Sequence, residues 1–153
     1  MKPMFVLFHP GYCRLCINDY STELNEKGQL DKLQHLTNNS IQKRHPDYVK
    51  NKEESIWTMS KFETYLQENN IANQAKINDV YSQIKNILAH CIKSADPVLE
   101  KKSGYFQLLG CDILIDQNLK PYLLEINSNP AIFTDIQAHK EVIPKVVFKV
   151  THY

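Results

Sequence analysis

The chain has 153 residues, enough for one domain with one hydrophobic core. Hydrophobic residues make up 42% and charged residues 23%, as in an ordinary globular protein. The 18 Lys and Arg residues against 17 Asp and Glu residues leave a net charge of +1, which gives no indication of a broad basic surface for nucleic acid.

Two β-like runs open the chain, residues 4–8 and residues 12–17, and the turn-forming residues 9–11 lie between them. This pattern predicts a hairpin. We do not interpret the start as a signal peptide, because Pro3 interrupts the apolar run and no small-residue cleavage site follows. In a chain without a signal peptide, the four cysteines are expected to be reduced thiols.

The middle of the chain predicts two helices. Residues 19–39 are polar and predict a loop, and Ser60 with Glu63 has the form of a capping box that starts a short helix ending near Asn69. The second helix should end at Asp96-Pro97 and face a core. Its apolar residues keep three-four spacing: Ile77, Val80, Tyr81, Ile84, Ile87, Leu88, Cys91 and Ile92.

Strands at residues 106–115 and 122–126 predict a second hairpin, and a final helix is expected over residues 135–147, interrupted or kinked at Pro144. Antiparallel hairpins mixed with helices predict an α+β domain.

The second hairpin carries acidic residues. A four-residue loop, residues 117–120, would pair Asp112 with Glu125 and Gly110 with Asn127. Residues directly opposite share a face, with Cβ atoms roughly 4.5–5.5 Å apart, so Asp112, Glu125 and Asn127 would project together. Gly110 would leave space for a ligand beside Asn127.

A pair of carboxylates among apolar strand residues needs a compensating cation or a shared proton. The two carboxylates and the amide together are oxygen ligands that suit Mg²⁺. The alternative is a half-exposed hairpin with its acids in water. A register slip of one residue would also place Asp112 and Glu125 on opposite faces.

Three stretches resemble the motifs of the tubulin–tyrosine ligase-like family. They are residues 106–116 (FQLLGCDILID) with 123–130 (LLEINSNP), residues 35–38 (HLTN) with 41–43 (IQK), and residues 11–15 (GYCRL). Their order and approximate separations agree with the family along nearly the whole chain. Residues 56–59 (IWTM) and 127–130 (NSNP) look most like the subgroup that elongates glycine chains on proteins.

The resemblance implies that residues 1–153 are the C-terminal half of an ATP-grasp catalytic domain. Such a ligase uses ATP and Mg²⁺ to add amino acids through amide bonds to glutamate side chains of tubulin or another acidic acceptor protein. By position, Asp112, Glu125 and Asn127 resemble the metal ligands, and Thr37 and Asn38 resemble nucleotide contacts. Arg14 resembles the catalytic arginine that holds a carboxylate.

The subgroup favours glycine as the amino acid, with glutamate as the alternative, and the family implies a cytoplasmic, cytoskeletal location that includes cilia and axonemes. Because the chain enters partway through the family's catalytic region, a second hypothesis is a truncated, inactive module that binds tubulin or another protein. A third is a zinc-binding structural domain, prompted by Cys13 and Cys16.

Overall fold

The computed structural model describes residues 4–102 and 104–151. It is a mixed structure of helices and two antiparallel two-stranded sheets, which confirms the α+β prediction. Its elements are β1 (Tyr12–Arg14), α1 (Lys32–His35), α2 (Asn39–Gln42), α3 (Tyr48–Asn51), β2 (Ile56–Thr58), α4 (Met59–Glu68), α5 (Gln74–Ala95), β3 (Gly110–Ile115), β4 (Pro121–Asn127) and α6 (Gln137–Thr151).

The described chain divides into two compact units. The described residues within 11–65 and 133–151 form the first, which we call the β1–β2 unit, and those within 4–10 and 66–132 form the second, the β3–β4 unit. None of the helices described is long and apolar enough to cross a membrane.

In the β1–β2 unit, β1 pairs antiparallel with β2, so that Tyr12 lies opposite Thr58 and Arg14 opposite Ile56. Helix α6 packs on both strands. The small core of this unit consists of the buried residues Ile56, Ile136 and Ala138, with Tyr12 packed against them. This core joins segments that are far apart in the sequence.

The predicted hairpin between residues 4–8 and 12–17 is wrong. Residues 4–8 form no strand in the described structure, and Phe5 and Val6 are 82% and 59% exposed. Strand β1 ends at Arg14 and takes β2 as its partner. The pairing of β1 with β2 is favoured because it buries Ile56 and covers Tyr12. A hairpin between β1 and residues 4–8 would not bring Ile56 to Tyr12.

Helix α4 confirms the predicted short helix but begins at Met59. Thr58 is the residue that caps it, because the Thr58 Oγ1 accepts a hydrogen bond from the Lys61 backbone N–H at 3.2 Å. At the other end Asn70 has a positive φ of 56°, and the N–H of Ile71 donates to the carbonyl of Leu66 at 2.8 Å. These features form a Schellman motif that ends the helix.

Helix α5 confirms the longest predicted helix and the stop before Asp96. The side chain of Asn73 caps its start by accepting from the Lys76 N–H at 2.9 Å. Ile77, Val80 and Ile84 are buried, and the helix packs against β4. The apolar stripe therefore faces a core, as the spacing predicted.

Helix α6 begins at Gln137 and runs through Pro144 to Thr151, so the predicted interruption is wrong. The predicted loop over residues 19–39 is also incomplete, because it contains α1 and an isolated bridge between Leu24 and Leu30.

Ile136 is the most deeply buried side chain of the β1–β2 core, at 1% exposure. We expect Ile136→Ala to lower the free energy of unfolding by about 2–5 kcal/mol and Ile136→Val by about 0.5–1.5 kcal/mol, because each leaves a cavity. Val49→Ala is the control, since Val49 is 81% exposed in the same unit. Denaturant unfolding followed by the fluorescence of Trp57 measures all three, and equal effects of the three substitutions would contradict this core assignment.

Candidate functional site

The acidic hairpin is formed by β3 and β4, and its register changes along its length. Gly110 lies opposite Asn127 and Asp112 opposite Glu125, as predicted. Beyond this point Ile113 pairs with Leu123 and Ile115 with Pro121, with a bulge between Asp112 and Ile113. The predicted loop would have paired Ile115 with Tyr122. The turn prediction was therefore wrong by one residue, and the bulge, which leaves Leu124 as the extra residue, restores the predicted pairing at the acids.

The turn is built around Asp116, to which the sequence reasoning assigned no role. The Asp116 Oδ1 accepts from the backbone N–H of Asn118 at 2.8 Å and of Lys120 at 2.9 Å. Leu119 adopts a positive φ of 60° while its side chain is buried. The tendency of aspartate to accept from backbone N–H groups further along the chain was the available signal for this turn.

Hydrogen bonding also shifts the ionisation of Asp116. The Lys120 N–H is the main cause that lowers the pKa of this carboxyl below its ordinary value, and the Asn118 N–H and the Tyr122 hydroxyl add to it. The charged form is therefore the one that the turn stabilises.

The register places Asp112, Glu125 and Asn127 on one face of the hairpin, as predicted. Asp112 is half-buried, while Glu125 and Asn127 are exposed. The Asn127 Nδ2 donates to the Glu125 Oε1 at 3.2 Å, which places these two side chains in direct contact. Solvent at Glu125 screens part of the repulsion between the two carboxylates.

The donor set on this face is made of two carboxylates and one amide. In the part of the chain that the structure describes, no three His, Cys, Asp or Glu side chains gather closely enough to hold a metal ion by themselves. The third oxygen at this face comes from Asn127, and hard oxygen donors with room for waters fit Mg²⁺ better than a soft metal.

The space beside Gly110 is occupied by protein, which corrects the expectation of open space for a ligand. A Cβ atom added to Gly110 would lie 2.8 Å from the Cβ of Pro130. The Gln107 Nε2 donates to the carbonyl oxygen of Ser128. Gln107, just before β3, and Gly110, the first residue of β3, therefore both contact the turn that follows Asn127. Gly110 is required here for close packing.

The other predicted site residues belong to the β1–β2 unit. Arg14 is half-buried at the end of β1, opposite Ile56. Thr37 and Asn38 connect α1 with α2, with Thr37 half-buried and Asn38 exposed. Asn38 occupies the N-cap position of α2, but its side chain makes no capping hydrogen bond to the described helix. The structure thus brings together Asp112, Glu125 and Asn127 within one unit, and it places Arg14, Thr37 and Asn38 within the other.

His35 has a structural role. Its Nε2 lies 2.8 Å from the carbonyl oxygen of Ser21, and its ring contacts Tyr20 edge-on at 5.0 Å between centroids. These contacts anchor the residue that precedes Leu36 and Thr37.

The two cysteines behind the zinc hypothesis favour the protonated thiol. Burial raises the pKa of both Cys13 and Cys16, although the neighbouring Arg14 partly offsets the effect at Cys13. A zinc site needs thiolates and further ligands. No such ligands join these two residues among the described His, Cys, Asp and Glu side chains.

The chain is an α+β protein in which Asp112, Glu125 and Asn127 place oxygen donors on one face of an antiparallel hairpin. The sequence profile of the tubulin-tyrosine ligase family matches residues 4–152, and the chain belongs to this family.

Two relatives named as polyglycylases support this assignment. The human protein named inactive polyglycylase TTLL10 is 38% identical over 152 residues, which are 96% of this chain and 22% of the relative. The protein polyglycylase TTLL10 of Macaca fascicularis is also 38% identical over 96% of this chain and 24% of its own length.

A third relative carries another activity in its name. The probable tubulin polyglutamylase TTLL9 of Rattus norvegicus is 36% identical over 136 residues, which are 89% of this chain and 28% of the relative. The chain therefore spans about a quarter of the length of these relatives. The predicted family is confirmed.

The lowered pKa of Asp116 predicts how acid affects the hairpin. The ionised carboxylate stabilises the turn above the ordinary aspartate pKa, and this stabilisation is lost as the pH falls through the lowered pKa. We expect the NMR titration of the Asp116 carboxyl carbon to have its midpoint below the ordinary aspartate value. Asp116→Asn should remove this part of the acid dependence of unfolding. A midpoint at or above the ordinary value would show that the backbone N–H groups do not hold the carboxylate.

The contact between Gly110 and Pro130 predicts a steric cost at this position. Gly110→Ala should destabilise the folded chain by about 1–3 kcal/mol and shift the NMR resonances of Asn127, because the added methyl group meets the proline ring. In a Pro130→Gly background, which removes the Cβ atom that the added methyl group meets, the same substitution should cost much less, and a double-mutant cycle measures the difference. Additive effects of the two substitutions would contradict the contact.

Proposed function

We propose that this chain is part of the ATP-grasp catalytic domain of an ATP- and Mg²⁺-dependent ligase. The reaction would add amino acids through amide bonds to glutamate side chains of tubulin or another acidic acceptor protein. The observation that carries the proposal is the common face of Asp112, Glu125 and Asn127 on the bulged hairpin. Membership of the family over residues 4–152 supports it.

Asp112, Glu125 and Asn127 are the proposed Mg²⁺ ligands. Like charges placed directly across a strand pair are destabilising, and a divalent cation between them would convert this repulsion into attraction. When bound, Mg²⁺ compensates the negative charge of phosphate oxygens and so supplies electrostatic stabilisation for phosphoryl transfer. The contact between Asn127 and Glu125 orients both side chains toward the same region before a cation is bound.

Thr37 and Asn38 are the proposed nucleotide contacts. The Thr37 hydroxyl and the Asn38 amide can each donate and accept hydrogen bonds, which suits the polar edges of a nucleotide. The Asn38 side chain is not used to cap α2. Its Oδ1, the atom with which a capping asparagine would accept from the helix N–H groups, is therefore available to a ligand.

Arg14 is the proposed carboxylate-binding residue. Its guanidinium group is permanently charged and can hold a carboxylate through two parallel hydrogen bonds. The position of Arg14 at the end of β1 is fixed by the pairing with Ile56 and by the Leu15 N–H, which donates to the Ser55 carbonyl at 2.8 Å. These backbone contacts therefore fix the position of the Arg14 Cα atom, from which its side chain extends.

Glycine is the proposed amino-acid substrate, since two of the relatives described above are named as polyglycylases. Glutamate is the alternative, since another relative is named as a probable tubulin polyglutamylase. An acceptor such as tubulin would place the protein in the cytoplasm on the cytoskeleton, including the microtubules of cilia and axonemes. Incorporation of labelled glycine and of labelled glutamate into tubulin separates the two substrates.

The metal site is tested by titrating the chain with a non-hydrolysable ATP analogue, with and without Mg²⁺. We expect binding that requires Mg²⁺ and that Glu125→Gln weakens roughly tenfold or more, which is about 1.4 kcal/mol. The control is Glu100→Gln, which removes the same charge from an exposed residue of the same unit. Binding that ignores Mg²⁺, or an equal loss in both variants, would refute the assignment of the hairpin as the metal site.

A second candidate is a catalytically inactive module that binds tubulin or another protein. The name of the human relative, inactive polyglycylase, favours it. Cosedimentation with microtubules in the absence of ATP, together with no amino-acid incorporation in the ligase assay, would support this candidate. Incorporation that Glu125→Gln abolishes would support the ligase.

A further inference from the structure

Gln42 is the most deeply buried polar residue described in the chain, at 2% exposure. Its Oε1 accepts from the backbone N–H of Ile17 at 3.0 Å. Its Nε2 donates to the carbonyl oxygen of Leu36 at 2.7 Å and to that of Leu33 at 3.1 Å. Both hydrogens and the oxygen of this amide are therefore used, and every partner is a backbone group.

The partners of Gln42 lie next to the proposed ligand-binding residues. Leu36 directly precedes Thr37, and the carbonyl of Asn38 accepts from the backbone N–H of Gln42 at 3.0 Å. Gln42 thus holds Thr37 and Asn38 from both sides, with its side chain before the pair and its backbone after it. The third contact, at Ile17, reaches the segment that follows Arg14.

The chemistry of this position requires a side chain with one acceptor and two donors at the length of glutamine. An ionised glutamate can accept from Ile17 but cannot donate to the two carbonyl groups. A methionine of similar length forms none of the three bonds. If Gln42 only filled space, methionine would be tolerated at this position. Because Gln42 instead satisfies three backbone groups, methionine would leave them without partners, which is unfavourable for buried groups.

We propose that Gln42 is a positioning residue that fixes Thr37 and Asn38 for contact with the nucleotide and ties them to the Arg14 segment. This inference rests on the proposed function of Thr37 and Asn38. Gln42 does not touch the ligand in this scheme. Its effect on binding passes through the backbone on either side of the two residues.

The test compares Gln42→Met and Gln42→Glu with Ile136→Val, which destabilises the same unit from its core without touching the loop. Two quantities are measured in the full chain: the ¹H–¹⁵N resonances of Thr37 and Asn38, and the dissociation constant for an ATP analogue with Mg²⁺. We expect both Gln42 variants to move these resonances and to bind roughly 10–100-fold more weakly, by analogy with the range found when residues that orient metal ligands are replaced. Ile136→Val should change neither.

The two measurements separate the possible failures. If the parent chain does not bind the analogue, the proposed function fails, and the resonances alone decide whether Gln42 positions the loop. Unchanged Thr37 and Asn38 resonances in a folded Gln42→Met variant, or an equal loss of affinity in Ile136→Val, would overturn the positioning role. If Gln42→Met or Gln42→Glu does not fold, Gln42→Asn replaces it in the test. Asparagine keeps the amide on a side chain too short for all three bonds, so the same shifts and loss of affinity are expected.

Discussion

Two carboxylates held directly across a strand pair repel each other, and the β3–β4 hairpin holds such a pair. Asp112 and Glu125 lie opposite each other, although an ordinary sheet would separate like charges at such positions. The register that causes this is held at both ends of the hairpin. At one end the carboxylate of Asp116 collects backbone N–H groups of the turn, and at the other Gly110 packs against Pro130.

The bulge connects these two ends. The turn around Asp116 sets a pairing that would carry Glu125 out of line with Asp112, and the extra residue Leu124 brings it back. Because a shift of one residue moves a side chain to the other face of a strand, this single insertion decides whether the acids meet. Bulges often redirect side chains beside functional sites, and this one serves an unfavourable charge arrangement whose compensation by a cation is the basis of the proposed function.

The β1–β2 unit uses a different principle. Its strands are three residues each and its apolar core is small. Hydrogen bonds from side chains to the backbone therefore help to order its loops. Gln42 satisfies three backbone groups, one at Ile17 and two on α1 and its C-cap, and His35 binds the backbone of a further segment at Ser21. The residues proposed to contact the nucleotide, Thr37 and Asn38, lie between these anchors, in the connection from α1 to α2.

The sequence by itself determined two kinds of feature: those set by local residue spacing and those identified by long motifs. The spacing of Ile77, Val80 and Ile84 was enough for α5, because helix periodicity is a local rule. Counting back from the turn gave the pairing of Asp112 with Glu125 only because an unpredicted bulge offset an error of one residue in the turn. The family followed from the motifs around these residues. Only the tertiary structure decided that β1 pairs with β2, that a bulge corrects the turn, and that Pro130 fills the space at Gly110. Each of these depends on which distant surfaces bury one another, and that choice is made by the free energy of the whole unit and not by any single segment.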